Sequence, residues 1–124
     1  MYFQFPSMNY SPGTHIVASL HQVATPLLQH YAAVKALLDQ QIQQHALQNL
    51  GEVYHDFPGG GFTAVICLSE SHISLHSWPE HGLVNLDIYL SNFLRTNDGT
   101  VAALFNALAE YFGGTILHQQ TIQR

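Results

Sequence analysis

Two period-two runs joined by a short Pro–Gly loop constrain this fold more than any other feature of the sequence. In His72–Trp78, Ile73 and Leu75 alternate with His72, Ser74, His76 and Trp78. In Val84–Ser91, Val84, Leu86, Ile88 and Leu90 alternate with Asn85, Asp87, Tyr89 and Ser91. Successive side chains of a strand point to opposite faces, so each run has one apolar face and one polar-aromatic face. Pro79-Glu-His-Gly82 then closes them into an antiparallel hairpin, whose apolar face must be buried against another layer.

The flanking sequence supplies that layer. Gly13–Leu20 reads as a first strand, with Ile16, Ala18 and Leu20 on one side. Thr25-Pro26 predicts a helix start, a hydroxyl cap followed by proline in the first turn. Leu27, Leu28, Tyr31, Val34, Leu38 and Ile42 continue it at helical spacing, and Gly51 is the expected stop. Glu52–Phe57 predicts a short strand before Gly59-Gly60-Gly61. The near-continuous apolar run Phe62–Ser69 predicts a central strand covered on both faces. A second helix is expected over Asp98–Phe112, stopped by Gly113-Gly114, and a last strand over Thr115–Ile122. The expected fold class is α/β (α+β): a two-layer sandwich of an antiparallel sheet with two helices on one face. The open face, bearing His76, Trp78, Asp87, Tyr89 and Ser91, is expected to meet a partner, a ligand, or both.

Composition narrows the partners. Charged residues are 9% of the 124, against about 25% in an average soluble protein. A surface so poor in charge predicts cover by another subunit. Lys35, Arg95 and Arg124 face eight acids, a net charge of -5, which leaves no basic stripe for nucleic acid. No apolar run approaches the roughly 18 residues of a membrane span, and no basic residue precedes an apolar leader segment. Cys67 is the single cysteine, so an internal disulfide is excluded and a reducing, cytoplasmic setting is expected. Residues 1–12 are set aside as an N-terminal extension, with one domain over 13–124.

Nine histidines raise the question of a metal. His72 and His76, four apart on a strand, are separated by about 13 Å, too far to share one ion. There is no HExxH and no CxxC, so no metal site is expected. The triple glycine lacks the Gly-Lys-Ser/Thr ending of a phosphate loop. Ser71 at a strand start with His76 five residues on suggests a nucleophile and a base, although a polar strand end accounts for the same residues.

The stretch Ser69-Glu-Ser-His-Ile-Ser-Leu-His-Ser-Trp-Pro-Glu-His-Gly82 closely resembles the self-processing segment of the prokaryotic S-adenosylmethionine decarboxylases, small pyruvoyl-dependent enzymes of spermidine synthesis. That segment has the form S-E-S-H-[IL]-[ST]-[IL]-H-T-W-P-E-x-G, and here Ser77 replaces the threonine. Gly13-Thr-His15-Ile-Val-Ala, His55-x-Phe57, Gly61-Phe-Thr-Ala64 and Asn85–Tyr89 resemble further parts of the family pattern, so the likeness covers most of the chain from Gly13.

The resemblance implies cleavage between Glu70 and Ser71. Ser71 Oγ attacks the Glu70 carbonyl, the amide becomes an ester, and elimination followed by hydrolysis leaves a pyruvoyl group on the C-terminal fragment. By the same likeness a hydroxyl at Thr63, where the family has serine, assists the tetrahedral intermediate, and His76 removes the α-proton. The pyruvoyl ketone then forms a Schiff base with a small-molecule amine and takes up the electrons released with CO₂, without pyridoxal phosphate. Phe57 and Trp78 match the family's adenine-holding aromatics, and Glu80 matches the carboxylate near the ribose. Ser91 stands where the family has a cysteine that returns a proton to the substrate, and an alcohol is a far weaker acid than a thiol of pKa about 8.5. Cys67 is read as a buried small hydrophobe, about 13 Å of strand from Ser71. A homodimer with an αββα arrangement is also implied. Decarboxylation of ornithine or arginine, and a non-catalytic homologue, are the alternatives.

Overall fold

A computed structural model of the chain describes residues 10–93 and 95–124. Residues 1–9 of the expected extension lie outside the described residues. Six strands form one antiparallel sheet: β1 (Thr14–His21), β2 (Asn49–Asp56), β3 (Phe62–Leu68), β4 (Ser71–Trp78), β5 (Leu83–Leu90) and β6 (Thr115–Gln123), in the order β2-β3-β4-β5-β1-β6. Three helices accompany it: α1 (Thr25–Gln29), α2 (Ala32–Gln44) and α3 (Asp98–Phe112).

The hairpin expected from the alternation is β4–β5. Ile73 pairs with Ile88 and Leu75 with Leu86, in register on the buried face. A single 3₁₀ turn over Pro79–His81 connects the strands, and Gly82 closes it at φ 59°, a left-handed conformation in which glycine has no Cβ to clash. Ile16, Ala18, Ala64, Ile66, Ile73, Leu75, Leu86 and Ile88 share one core with Val34, Leu38 and Ile42 of α2 and with Val101, Leu104, Phe105, Leu108 and Phe112 of α3. Burying one such side chain contributes about 1.5–3 kcal/mol, so this layer-on-layer contact is the main force holding the helices to the sheet. The opposite face is open: Val53, Val65 and Trp78 are exposed on it.

Five expectations are corrected. The helix beginning near Thr25 is two helices. His30 is extended (φ -136°, ψ 150°), and the Tyr31 N–H donates to Asp56 Oδ1 at 2.9 Å, which turns the chain before α2 begins. The cap position is Ala24, with no side-chain cap bond, so the Thr25 hydroxyl does not have that role. Gly51 is not a helix stop but a residue of β2; α2 ends at Gln44 and is capped by His45, followed by Ala46 at φ 53°. Finally, within a single chain β3 is covered on one face only. Phe62, Ala64, Ile66 and Leu68 are buried, whereas Val65 and Cys67 are exposed. The run looked continuous because both outward residues are apolar, and the reading of Cys67 as buried fails for the same reason.

Candidate active site

The open face is polar because its strands alternate, and the register decides which polar groups meet. Thr63 on β3 lies directly opposite His76 on β4. Their Oγ1 and Nδ1 atoms share a hydrogen bond of 2.6 Å. Beside them Phe57, Phe62, Trp78 and Glu80 line a cleft of about 340 Å³. Phe57 follows β2, Glu80 sits in the 3₁₀ turn, and Phe57 and Trp78 are 47% and 46% exposed. Two half-exposed aromatic rings at one cleft mouth can hold a flat heterocycle between them. Beneath the cleft, buried Ser77 accepts from the Phe62 N–H at 2.8 Å and donates to the Leu28 carbonyl at 2.8 Å, joining β3, β4 and α1.

A second group of residues gathers at the other end of β4. Leu68 pairs with Ser71, so Ser69-Glu70 forms the tight turn between β3 and β4. This turn folds Cys67 back opposite His72, and the expected 13 Å of strand between Cys67 and Ser71 does not apply. Ser71 has φ 131°, a region costly for a residue with a Cβ, by about 1–3 kcal/mol. The Glu70 carbonyl accepts the Ser91 N–H at 2.8 Å. β5 ends at Leu90, so Ser91 lies just past the strand rather than within it.

The Glu70 side chain is held as firmly as its carbonyl. Arg95 donates to both carboxylate oxygens, Nε to Oε1 at 3.0 Å and an η-nitrogen to Oε2 at 2.8 Å. Asn97 Nδ2 adds a bond to Oε1 at 2.8 Å. The Arg95 guanidinium, followed by Asn97, keeps the Glu70 carboxyl below the usual glutamate range, and Glu70 in turn raises Arg95. Sequence pattern does not single out Arg95 or Asn97 for this site. The only signal is that Arg95 is one of three basic residues in the chain.

Five sequence-predicted residues, Phe57, Thr63, His76, Trp78 and Glu80, therefore meet at one cleft. Glu70, Ser71 and Ser91 meet at another place. Ser71 and His76 are five residue steps apart on β4, about 16 Å along an extended strand.

A third cluster joins β1, β4 and β5 on the open face. His15 Nε2 and His72 Nε2 both bond Asp87 Oδ1, at 2.5 and 3.1 Å. These three ligand-type atoms lie within 4.8 Å of one another. Hydrogen bonds account for them, and Arg124, 3.3 Å from His15 Nδ1, places positive charge where a cation would be repelled.

The family model described as S-adenosylmethionine decarboxylase matches residues 14–124. The chain belongs to that family. Its relatives include the S-adenosylmethionine decarboxylase proenzyme of Archaeoglobus fulgidus, 39% identical over 77 residues that cover 62% of this chain and 69% of the relative. The proenzyme of a Sulfurihydrogenibium species is 43% identical over 82 residues, 66% of this chain and 62% of the relative. That of Thermoplasma acidophilum is 32% identical over 101 residues, 82% of this chain and 77% of the relative. The matched stretch thus spans somewhat under two thirds of the Sulfurihydrogenibium protein. A crystal structure of the adenosylmethionine decarboxylase from Aquifex aeolicus superposes with a TM-score of 0.81 at 27% identity, covering 93% of this chain and 92% of that one. The S-adenosylmethionine decarboxylase fold is therefore shared over nearly the whole length. No helix among the described residues is long and apolar enough to cross a membrane.

Proposed function

We propose that this chain is a self-processing, pyruvoyl-dependent decarboxylase that acts on S-adenosylmethionine. The observation that carries the reading is the Glu70–Ser71 junction. A non-glycine residue at φ 131° directly follows a tight turn, and the carbonyl before it accepts a main-chain N–H. That N–H is placed to favour the oxyanion formed when Ser71 Oγ attacks the Glu70 carbon. Attack forms a C–O bond and breaks the C–N bond, giving an ester and a free amine. Removal of the Ser71 α-proton then expels the Glu70 carboxylate. The dehydroalanine left behind takes up water and loses ammonia to become the pyruvoyl group.

The residues present suit that group: a serine, a polarised carbonyl, and a histidine oriented by a hydroxyl. When formed, the pyruvoyl ketone supplies an electron sink for the loss of CO₂. Phe57 and Trp78 bind the base and Glu80 faces the sugar hydroxyls, consistent with the cleft they share. Ser91 lies beside the junction with an alcohol where a more acidic donor would return the proton faster.

The split between the His76 and Ser71 groups supports a homodimer. Two open faces stacked head to tail give an αββα arrangement and set the Thr63–His76 pair of one copy over the Ser71 end of the other. The low charge of the chain and the exposed Val53, Val65 and Trp78 fit such a contact. Light scattering at micromolar concentration should return the dimer mass, and a monomer with Trp78 fully solvated would remove this part of the reading. A cytoplasmic setting accords with the lone, unpaired Cys67.

Electrophoresis and intact mass test the function. Wild-type protein should give two fragments split before Ser71, the second starting with pyruvoyl, and Ser71→Ala should stay whole. A cut at the same bond in Ser71→Ala would show host proteolysis instead. Release of labelled carboxyl carbon from S-adenosylmethionine, ornithine and arginine then identifies the substrate, and no release from any of them marks a non-catalytic homologue.

A further inference from the structure

We infer that Arg95 and Asn97 are positioning residues for self-cleavage, closing a ring of hydrogen bonds that holds the Glu70–Ser71 peptide in its reactive shape. The inference rests on the processing reading above and names residues which that reading does not use. The ring can be followed bond by bond. Asn97 Nδ2 donates to Glu70 Oε1 and to the Ser91 carbonyl, both at 2.8 Å. Ser91 N–H donates to the Glu70 carbonyl at 2.8 Å, which returns the path to the residue where it began. The side chain and main chain of Glu70 are thus fixed by the same neighbours.

Arg95 ties this ring to the helical layer. Besides its paired bonds to Glu70, it donates to the carbonyls of His45 and Ala46 at 3.2 and 3.1 Å, just beyond the end of α2. An isolated surface ion pair contributes little. This one differs because its two parallel bonds fix direction as well as distance, and because Asn97, 1% exposed, shares the same carboxylate oxygen. Asn97 is itself anchored, its N–H donating to Asn92 Oδ1 at 2.6 Å. A strained backbone angle persists only where its surroundings over-determine it, and this ring fixes Glu70, the residue bonded to Ser71. With Glu70 released, the turn can relax, and attack of Ser71 Oγ on the carbonyl carbon slows.

The test is the time course of fragment formation after cell-free synthesis of the full chain, with far-UV circular dichroism as a check on folding. Arg95→Ala should process at least tenfold more slowly than wild type while keeping its helix and strand signal. Millimolar guanidinium should restore much of the lost rate in Arg95→Ala and none in the Arg95→Ala/Glu70→Gln double variant, because the added cation needs the carboxylate. Arg95→Lys, which keeps the charge but cannot make two parallel bonds, should fall between. Processing of Arg95→Ala within twofold of wild type, or slow processing that guanidinium leaves unchanged, would overturn the positioning role alone. A wild-type chain that never splits would overturn the processing reading and this inference with it.

Discussion

Thr63 and His76 face each other across β3 and β4, joined by a hydrogen bond of 2.6 Å between Oγ1 and Nδ1. One ring nitrogen is occupied by the hydroxyl, so the imidazole is oriented and its Nε2 is left to handle a proton. His76→Ala should therefore complete the acyl shift and stall, accumulating an ester between Glu70 and Ser71. Hydroxylamine should cut that ester and leave an amide intact. Thr63→Val should slow fragment formation by about 10²–10⁴-fold, the usual value of a positioned proton-transfer group. A hydroxylamine-resistant His76→Ala chain would place the histidine before the shift instead.

Ser91 gives the second prediction. Its main-chain N–H serves the Glu70 carbonyl, and this bond does not depend on the side chain. Ser91→Cys should thus still process, which gel electrophoresis reads directly. It should raise decarboxylation of S-adenosylmethionine by about 10²–10⁴-fold if the thiol returns the substrate proton. A processed variant with no gain would shift the substrate towards ornithine or arginine, or mark the chain as non-catalytic.

Ser77 tests the support beneath the cleft. Its hydroxyl is buried and satisfies both the Phe62 N–H and the Leu28 carbonyl. Ser77→Ala leaves those two groups unpaired, at a cost of about 1–3 kcal/mol. The urea midpoint should fall accordingly, with little change in slope. An unchanged midpoint would show that water replaces the hydroxyl without loss.

Asp98 links β1 to the start of α3, accepting from Thr14 Oγ1 at 2.6 Å and Asn92 Nδ2 at 2.9 Å. The Asn92 bond, then the Thr14 bond, lowers its carboxyl below the ordinary aspartate value. A depressed folded-state value means the charged form is favoured by folding. The stabilisation is complete above about pH 4 and disappears as the pH falls through the folded-state value. Asp98→Asn should unfold at lower urea than wild type at pH 7, and the gap should narrow as the pH falls below about 4. A gap that is constant with pH would assign the effect to shape rather than charge.

The hairpin and the cleft residues were legible because local rules survived folding. β4 and β5 keep strict alternation, and His76, Trp78 and Glu80 sit close enough in the chain for one motif to carry them. The break between α1 and α2 was not legible, since the acceptor that turns the chain is Asp56, 25 residues away. Cys67 was misplaced because a tight turn at Ser69-Glu70 leaves no proline or glycine to mark it. The motif also hides distance: Ser71 and His76 look adjacent on paper, yet an extended strand holds them about 16 Å apart. Arg95 escaped notice because its partner Glu70 lies 25 positions earlier, across a whole hairpin.

The strand order has a consequence for any molecule severed between Glu70 and Ser71. One piece then owns β1, β2 and β3, the other β4, β5 and β6. In the order β2-β3-β4-β5-β1-β6 the first piece's β1 is gripped between two strands of the second. The pieces are interleaved, so losing the peptide link costs the native molecule little. Denaturation changes that. Two separated solutes must then meet before the sheet can close, and dilution slows their return. The Ser71→Ala chain, still one molecule, closes its own sheet at a rate that dilution does not touch. Cleavage thus converts a fold that can be remade at any concentration into one that is best not undone.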